Sequence, residues 1–412
     1  MAITDKEQGV WGLDQVYNKI NQGSIWNYSS SSDPGQLWGM GSNYYGILGQ
    51  NNTTDQSSPV QVGTESTWSQ VQGGAFDSVG GVKTDGTLWM WGRNFAGKLG
   101  LNKFSLPWPS APDSRSSPAQ VGTDTTWSTV STFEAGTFAL KTNGTLWGWG
   151  GEGMWGSPQG TPAGARSSPT QVTGTPSTTW AVGKGKIATW TNTFAAISSS
   201  GELYTWGRNY AGNLGQNEAE AQNYSDPNPH RVGTDTTWDI VGGVDEQGYK
   251  NPLALKTDGT LWAWGGGGDG QLGQNDRTPR SSPVQVGTET TWTGQFTGKN
   301  NNNSHQAIKS DGTLWSWGGQ NSGELGQNEA TTHYSSPTQV GTESTWATIG
   351  GDGAVMAVKT DGTLWMWGYG GYGADGQNNL TSYSSPTQVP GTNWNASGVA
   401  SMSNTALSLR YS

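Results

Sequence analysis

The sequence predicts an all-β fold, a seven-bladed β-propeller closed by its own C-terminal strand. Three observations predict it. One phrase recurs seven times, with its turn glycines at Gly35, Gly86, Gly144, Gly201, Gly259, Gly312 and Gly362. They lie about 50 to 58 residues apart, a spacing that marks repeats which bury their faces only against neighbours. Each copy reads as a hairpin whose second strand is apolar on both faces. The chain then ends in the one strand that the first copy lacks. Composition agrees: of 412 residues, 65 are Gly and 24 Trp, and only 13% are charged, the mark of a turn-rich β protein with aromatic packing.

Residues 1–30 stand outside the repeats. Thr4-Asp5-Lys6-Glu7 fits a capping box, in which the Thr hydroxyl and the Glu carboxylate satisfy free N–H groups at a helix start. Trp11, Leu13, Val16, Tyr17 and Ile20 then fall near one helical face, and Asn21-Gln22-Gly23 is a stop signal. Gly9 and Gly12 each weaken such a helix by about 1 kcal/mol relative to Ala. The expectation is a short N-terminal helical arm whose apolar stripe packs on the propeller itself or docks on a partner.

The propeller is expected over residues 31–412. In Asp85-Gly86-Thr87-Leu88-Trp89-Met90-Trp91-Gly92, Asp-Gly signals a hairpin turn, read as type I′ with both central residues at positive φ. It joins a strand near 77–84 to one near 87–92. Leu88 and Met90 face one way, Trp89 and Trp91 the other. Such a strand must be covered on both sides, as between blades. The glycine-rich run Asn94-Phe95-Ala96-Gly97-Lys98-Leu99-Gly100 follows, with copies at 209–215 and 321–326. A variable segment leads to Ser57-Ser58-Pro59-Val60-Gln61 and its counterparts from Ser116, Ser281, Ser335 and Ser384, where proline at the start of a strand implies a sheet edge. Trp68, Trp127, Trp180, Trp238, Trp292, Trp346 and Trp394 each open a further strand. That makes four strands per repeat. The first repeat starts at Gly35-Gln36-Leu37-Trp38 with no strand before it. Thr405-Ala406-Leu407-Ser408-Leu409-Arg410 matches the missing one, so the C-terminus should complete that blade and remove free edges.

The run from Ala254 to Gly265, followed by Gly270-Gln271-Leu272-Gly273, resembles the repeat of the regulator of chromosome condensation (RCC1) family, over residues 31–412. The resemblance implies the propeller. It leaves activity open, because the family includes a nucleotide-exchange factor for a small GTPase, a plant ultraviolet receptor and bacterial protein inhibitors of enzymes. The receptor's Gly-Trp-Arg-His-Thr signature is absent from this sequence, and nothing matches the exchange factor's inserted wedge or basic tail. Separately, the string from Gly9 to Trp26 is similar to the openings of predicted virion proteins of marine tailed bacteriophages.

Several function classes are disfavoured. The net charge is −10 with no basic cluster, which argues against nucleic acid or an anionic membrane as a charge-driven partner. No apolar stretch is long enough to span a bilayer. The opening Met1–Lys6 lacks the apolar core of a signal peptide. Without Cys there is no thiol or disulfide chemistry. Gly92–Lys98 imitates a phosphate-binding loop, but Leu99 stands where Ser or Thr would hold Mg²⁺, and its copies replace the Lys with Asn213, Gln271 and Glu324. His230, His305 and His333 have no metal-ligand spacing. Asp85, Asp258, Asp311 and Asp361 read as turn formers rather than a carboxylate ring. The Trp-Xaa-Trp pairs read as inter-blade packing rather than a sugar-stacking array. Gly266–Gly270 offers backbone oxygens to Ca²⁺ with too few carboxylates. No catalytic residue, cofactor or metal site is expected.

What varies between repeats is the segment before each Ser-Ser-Pro strand: 103–115, 151–166, 218–230, 330–334 and 379–383. These insertions should share one side of the ring. Phe104, Trp108, Trp155, Tyr224, Tyr334 and Tyr383 lie in or beside them as candidate partner-binding residues. The expected protein is a non-enzymatic structural or binding component of a bacteriophage virion. Its arm would contact other virion proteins, and its loops a host-surface protein or glycan. The alternative is a secreted or cell-surface protein-binding propeller.

Overall fold

Each repeat folds as one four-stranded antiparallel sheet, and seven such sheets form the ring. The computed structural model describes residues 35–74, 77–104, 113–133, 136–151, 164–172, 179–190, 193–218, 225–243, 251–298, 303–351, 353–402 and 405–411. Blade one runs from the channel outward as Trp68–Gly74, Ser78–Lys83, Leu88–Gly92 and Arg115–Gln120. Blades two to six repeat this order, with inner strands Trp127–Thr132, Ile187–Trp190, Trp238–Gly243, Trp292–Thr297 and Trp346–Gly351. Blade seven takes two strands from each end of the chain: Trp394–Met402 and Thr405–Arg410 inside, Gln36–Gly41 and Gln56–Gln61 outside. Leu37 pairs with Leu409 and Met40 with Ala406, so the C-terminal strand closes the ring as the sequence predicts.

The two-faced apolar strand explains why the blades stack. Trp91 is buried against Leu37, Ile47 and Leu407 of blade seven. Leu88 and Met90, on the opposite face, pack with Val130, Ala139 and Trp149 of blade two. Trp264 is buried in the same way among Ala188, Trp190 and Leu203 of blade three, and donates its indole N–H to the Asn213 carbonyl at 2.9 Å. Burying an indole removes roughly 200 Å² from water, worth about 5 kcal/mol as an upper estimate.

Two local expectations need correction. The Asp-Gly hairpin is not type I′. Gly86 lies at φ 78, but Asp85 is not among the residues at positive φ. Gly86 N–H donates to Lys83 O at 2.9 Å, and Lys83 N–H to Thr87 O at 3.0 Å. This is a three-residue loop, a type I turn followed by a glycine bulge. Asp85 stays right-handed because its carboxylate accepts from the Thr87 N–H (3.0 Å) and hydroxyl (2.7 Å). Those bonds hold its carboxyl below the usual carboxylate range. Glycine is also required sterically: a Cβ on Gly86 would lie 2.0 Å from Thr125 O of the neighbouring loop. The second correction concerns proline. Pro59 and its counterparts sit fourth in their strands rather than first, but those strands are the outermost of each blade, where a missing N–H costs no ladder bond. Among the described residues there is no α-helix, only short 3-10 turns such as Tyr44–Gly46 and Gly371–Gly373. The expected helical arm, with Trp11, Leu13, Val16, Tyr17 and Ile20, lies outside the described residues.

Candidate protein-binding face

The glycine-rich turn at the end of each third strand builds one face of the ring. In blade one, Asn94 Oδ1 accepts the Leu99 N–H at 3.1 Å and folds the turn back on itself. Trp149 of blade two donates its indole N–H to Lys98 O at 2.8 Å. Asn102, left-handed at φ 55, donates its backbone N–H to Ser167 O at 2.7 Å, on the outer strand of blade two. The same bonds recur around the ring, from Trp91 to Ile47 O, Trp317 to Gln271 O and Trp367 to Glu324 O. Asn51, Asn217, Asn275, Asn328 and Asn378 repeat the latch onto the next blade's serine. The imitation of a phosphate loop is thus an inter-blade joint. Lys98 itself is buried and ion-paired with Asp77, whose other oxygen takes Arg93 at 2.9 Å.

Three adjacent blades present aromatic side chains from this face. Tyr44 on blade seven is 67% exposed; Tyr372 and Tyr369 on blade six are 49% and 38% exposed; Phe104 on blade one is 41% exposed. Tyr45 packs edge-on against Tyr44, with ring centroids 4.3 Å apart, and the Arg93 guanidinium carbon lies 4.8 Å from its ring centroid. Tyr45 and Tyr372 both sit at φ 60. The equivalent residues on blades one and three are Ala96 and Ala211. Left-handed backbone costs an L-residue about 1–2 kcal/mol, and such strain concentrates at functional positions.

The sequence reading overlooked these tyrosines because it searched the insertions. The available signal was inside the turn: the residue just before its glycine is Tyr45 and Tyr372 on two blades and Ala96 and Ala211 on two others. Of the residues it did name, Phe104 is on this face and exposed. Tyr334 and Tyr383 are not loop residues; each begins an outer strand, half-buried against a blade core. The Tyr383 hydroxyl accepts from Asn379 at 3.1 Å. Trp108, Trp155 and Tyr224 lie outside the described residues.

The opposite face is built from hairpins. There Lys83 lies 3.8 Å from the Trp89 ring centroid and 5.0 Å from that of Trp68, and pairs with Glu65. Lys141, Lys256, Lys309 and Lys359 repeat this clasp, and Arg410 lies between Trp38 and Trp394. The half-buried tryptophans are therefore covered by their own cations rather than open to a sugar. The channel encloses about 290 Å³ and is lined by Gln70, Gln72, Thr129, Ser131, Gln295 and Lys184 among others. Its inner strands are stitched across blades, as by Gln70 to Thr129 at 2.8 Å and Ser131 to Thr189 at 2.8 Å. No cluster of three metal-ligating side chains occurs among the described residues. In the Gly266–Gly270 loop, Asp269 is engaged by Asn303 at 2.8 Å and His333 at 3.3 Å.

Residues 34–79 and 258–300 match the Regulator of chromosome condensation (RCC1) repeat. The fold is an RCC1-like propeller. The chain is 28% identical over 271 residues to the ultraviolet-B receptor UVR8 of Arabidopsis thaliana, covering 63% of this chain and 55% of the receptor. It is 29% identical over 261 residues to the RCC1 domain-containing mitochondrial protein RUG3 of the same plant, covering 60% and 53%. The chain thus spans about half the length of these relatives. Yeast RCC1 (Prp20), solved bound to Kap60, superposes with a TM-score of 0.77 at 16% identity, covering 94% of this chain and 92% of that one. Human WBSCR16 does so at 0.72 and 17%, covering 92% and 100%. Likeness at this identity is likeness of fold.

Proposed function

We propose that this chain is a non-enzymatic protein-binding propeller that grips its partner with the glycine-turn face of blades six, seven and one. The observation that carries the reading is the set of tyrosines held outward there, Tyr44, Tyr369 and Tyr372, with Tyr372 and the half-buried Tyr45 on left-handed backbone where blades one and three place alanine. Tyr offers a large amphipathic contact with few rotatable bonds, so ordering it on binding costs little entropy. Under Tyr44 the joint held by the Asn43 to Leu48 and Trp91 to Ile47 bonds lowers that cost further. Yeast RCC1, which shares this fold, was solved with a protein, Kap60, bound to it. Cross-linking of the chain to a captured partner tests the proposal. Cross-links should fall on residues 43–51, 93–104 and 369–380, and Tyr44→Ala with Tyr372→Ala should release the partner. Cross-links confined to the hairpin face would overturn it.

The second reading places the protein in a bacteriophage particle, with residues 1–30 tying it to other virion proteins and the tyrosine face turned to the host. It rests on the similarity of the Gly9–Trp26 string to virion protein openings. Mass spectrometry of purified particles tests it directly. Absence of the chain from particles would leave the secreted or cell-surface module.

A further inference from the structure

The joints around the ring are not equal. Five described turns bury a leucine in the same slot: Leu48, Leu99, Leu214, Leu272 and Leu325. The turn of blade six puts Asp375 there, only 1% exposed. Its Oδ1 accepts the Gln377 N–H at 3.2 Å, and its Oδ2 has no hydrogen-bond partner. Two more joint elements are missing at the same place. Asn43, Asn94, Asn209 and Gln320 each accept the N–H of their turn leucine; blade six has Gly370 at that position, as blade four has Gly267, but among the described turns only that of blade six lacks the leucine as well. The facing strand of blade seven carries Met40 where other blades carry the tryptophan whose indole N–H reaches across. A Cβ on Gly376 would meet Met40 Sδ as one on Gly100 would meet Trp149 Nε1, so the two side chains fill the same slot. Of the turn's polar contacts, the serine latch remains, Asn378 N–H to Ser57 O at 2.8 Å and Ser57 hydroxyl to Asn378 Oδ1 at 3.1 Å, above an apolar core in which Met40 and Ala406 pack with Met356, Met366 and Val389. This weakened joint is where the N-terminal strands of blade seven, themselves paired with the C-terminal strand inside that blade, meet blade six.

We propose that the joint between blades six and seven is the opening point of the ring, and that ionisation of Asp375 loosens it. A protonated carboxyl fits a slot shaped for leucine; a carboxylate there is drawn to water. Burial raises this carboxyl above its ordinary value. The stability it contributes is therefore full below the unfolded pKa, and is lost as pH rises through the raised folded one. Among the described residues no neighbouring charge offsets this. The strands Gln36–Gly41, Gln56–Gln61, Leu364–Gly368 and Tyr383–Gln388 carry no charged side chain. Asp55, before the strand Gln56–Gln61, is held by the Asn43 N–H at 2.7 Å. Lys359 and Arg410 lie at the far, hairpin ends of their strands, clasped by tryptophans.

Hydrogen exchange of the full chain, corrected for intrinsic rates, tests the proposal. At pH 7.5, amides in 371–378 should exchange roughly tenfold or more faster than those in the equivalent turn 44–51. At pH 4.5 the difference should narrow. Asp375→Asn should abolish the pH dependence of that difference, and Asp375→Leu should abolish it and also slow exchange in 371–378. Equal exchange at the two joints would overturn the proposal. So would a difference that neither pH nor either variant changes.

Discussion

At the level of single residues, the inter-blade tryptophan is the clearest lever. Trp264 is enclosed on blade three's side of its sheet, with its indole N–H spent on the Asn213 carbonyl. Trp264→Ala should cost about 3–5 kcal/mol in denaturant unfolding, and near-normal stability would place the ring in solvent instead. His305 gives a second lever. It is sealed inside blade five, 5.7 Å from the Trp317 ring, and burial pulls its pKa down to about 3, opposed only by the Thr297 backbone. An unfolded histidine titrates near 6.5, so the unfolded chain binds the extra proton between those values and stability falls as pH drops through that window. His305→Phe should recover roughly 3 kcal/mol of the loss between pH 7 and 4, measured as unfolding free energy at each pH. An unchanged acid limb would mean the ring is not neutral and buried. Sequence alone showed that Asp85 makes a turn, because Asp-Gly chemistry is local. It did not show the turn type, which follows from a three-residue loop closed between Lys83 and Thr87, with Asp85 accepting from Thr87. Nor did it show the outward tyrosines, whose exposure is set by which blade they overhang.

At the level of elements, strands were legible because alternation within five residues is a local signal, and the paired apolar faces declared the blade stacking. The boundary of the outer strand was less so: Tyr334 and Tyr383 look like loop aromatics beside Ser-Ser-Pro, yet they pair with Gly318 and Gly368 through a bulge. The closing strand tests how far the ring depends on its last element. Deleting 404–412 uncovers the edge of Gln36–Gly41 and the packing of Leu37 against Leu407 and Leu409, so the truncated chain should aggregate or melt far lower. Unchanged melting would show that closure contributes little. The tyrosine turn should behave in the opposite sense. Tyr372→Gly removes the left-handed penalty and should raise stability by about 1 kcal/mol while weakening partner capture. A variant that is no more stable would remove the strain argument for that face.

For the whole molecule, the question is what the first residues do, since the ring accounts for its own closure without them. The described sheet begins at Gly35, which bridges to Trp68 on the hairpin face, and every blade has its four strands from residue 36 onward. The sequence of residues 1–26 nonetheless carries Trp11, Leu13, Val16, Tyr17 and Ile20 at helical spacing. An isolated helix of that length is marginal in water, and its apolar stripe must pack on something to persist. Removing residues 1–26 separates the two surfaces available. If the stripe packs on the propeller, the truncated chain should melt lower and expose an apolar patch. If it packs on another protein of an assembly, the truncated monomer should melt as the full chain does, while co-purification with the assembly is lost. The second outcome is the one expected: the hairpin face from which the segment leaves has its half-buried tryptophans already covered by Lys83, Lys141, Lys256, Lys309, Lys359 and Arg410, which leaves little bare apolar surface there for the stripe. A thermal melt of the truncated monomer beside a pull-down decides between them, and a lowered melt with retained co-purification would overturn the docking role.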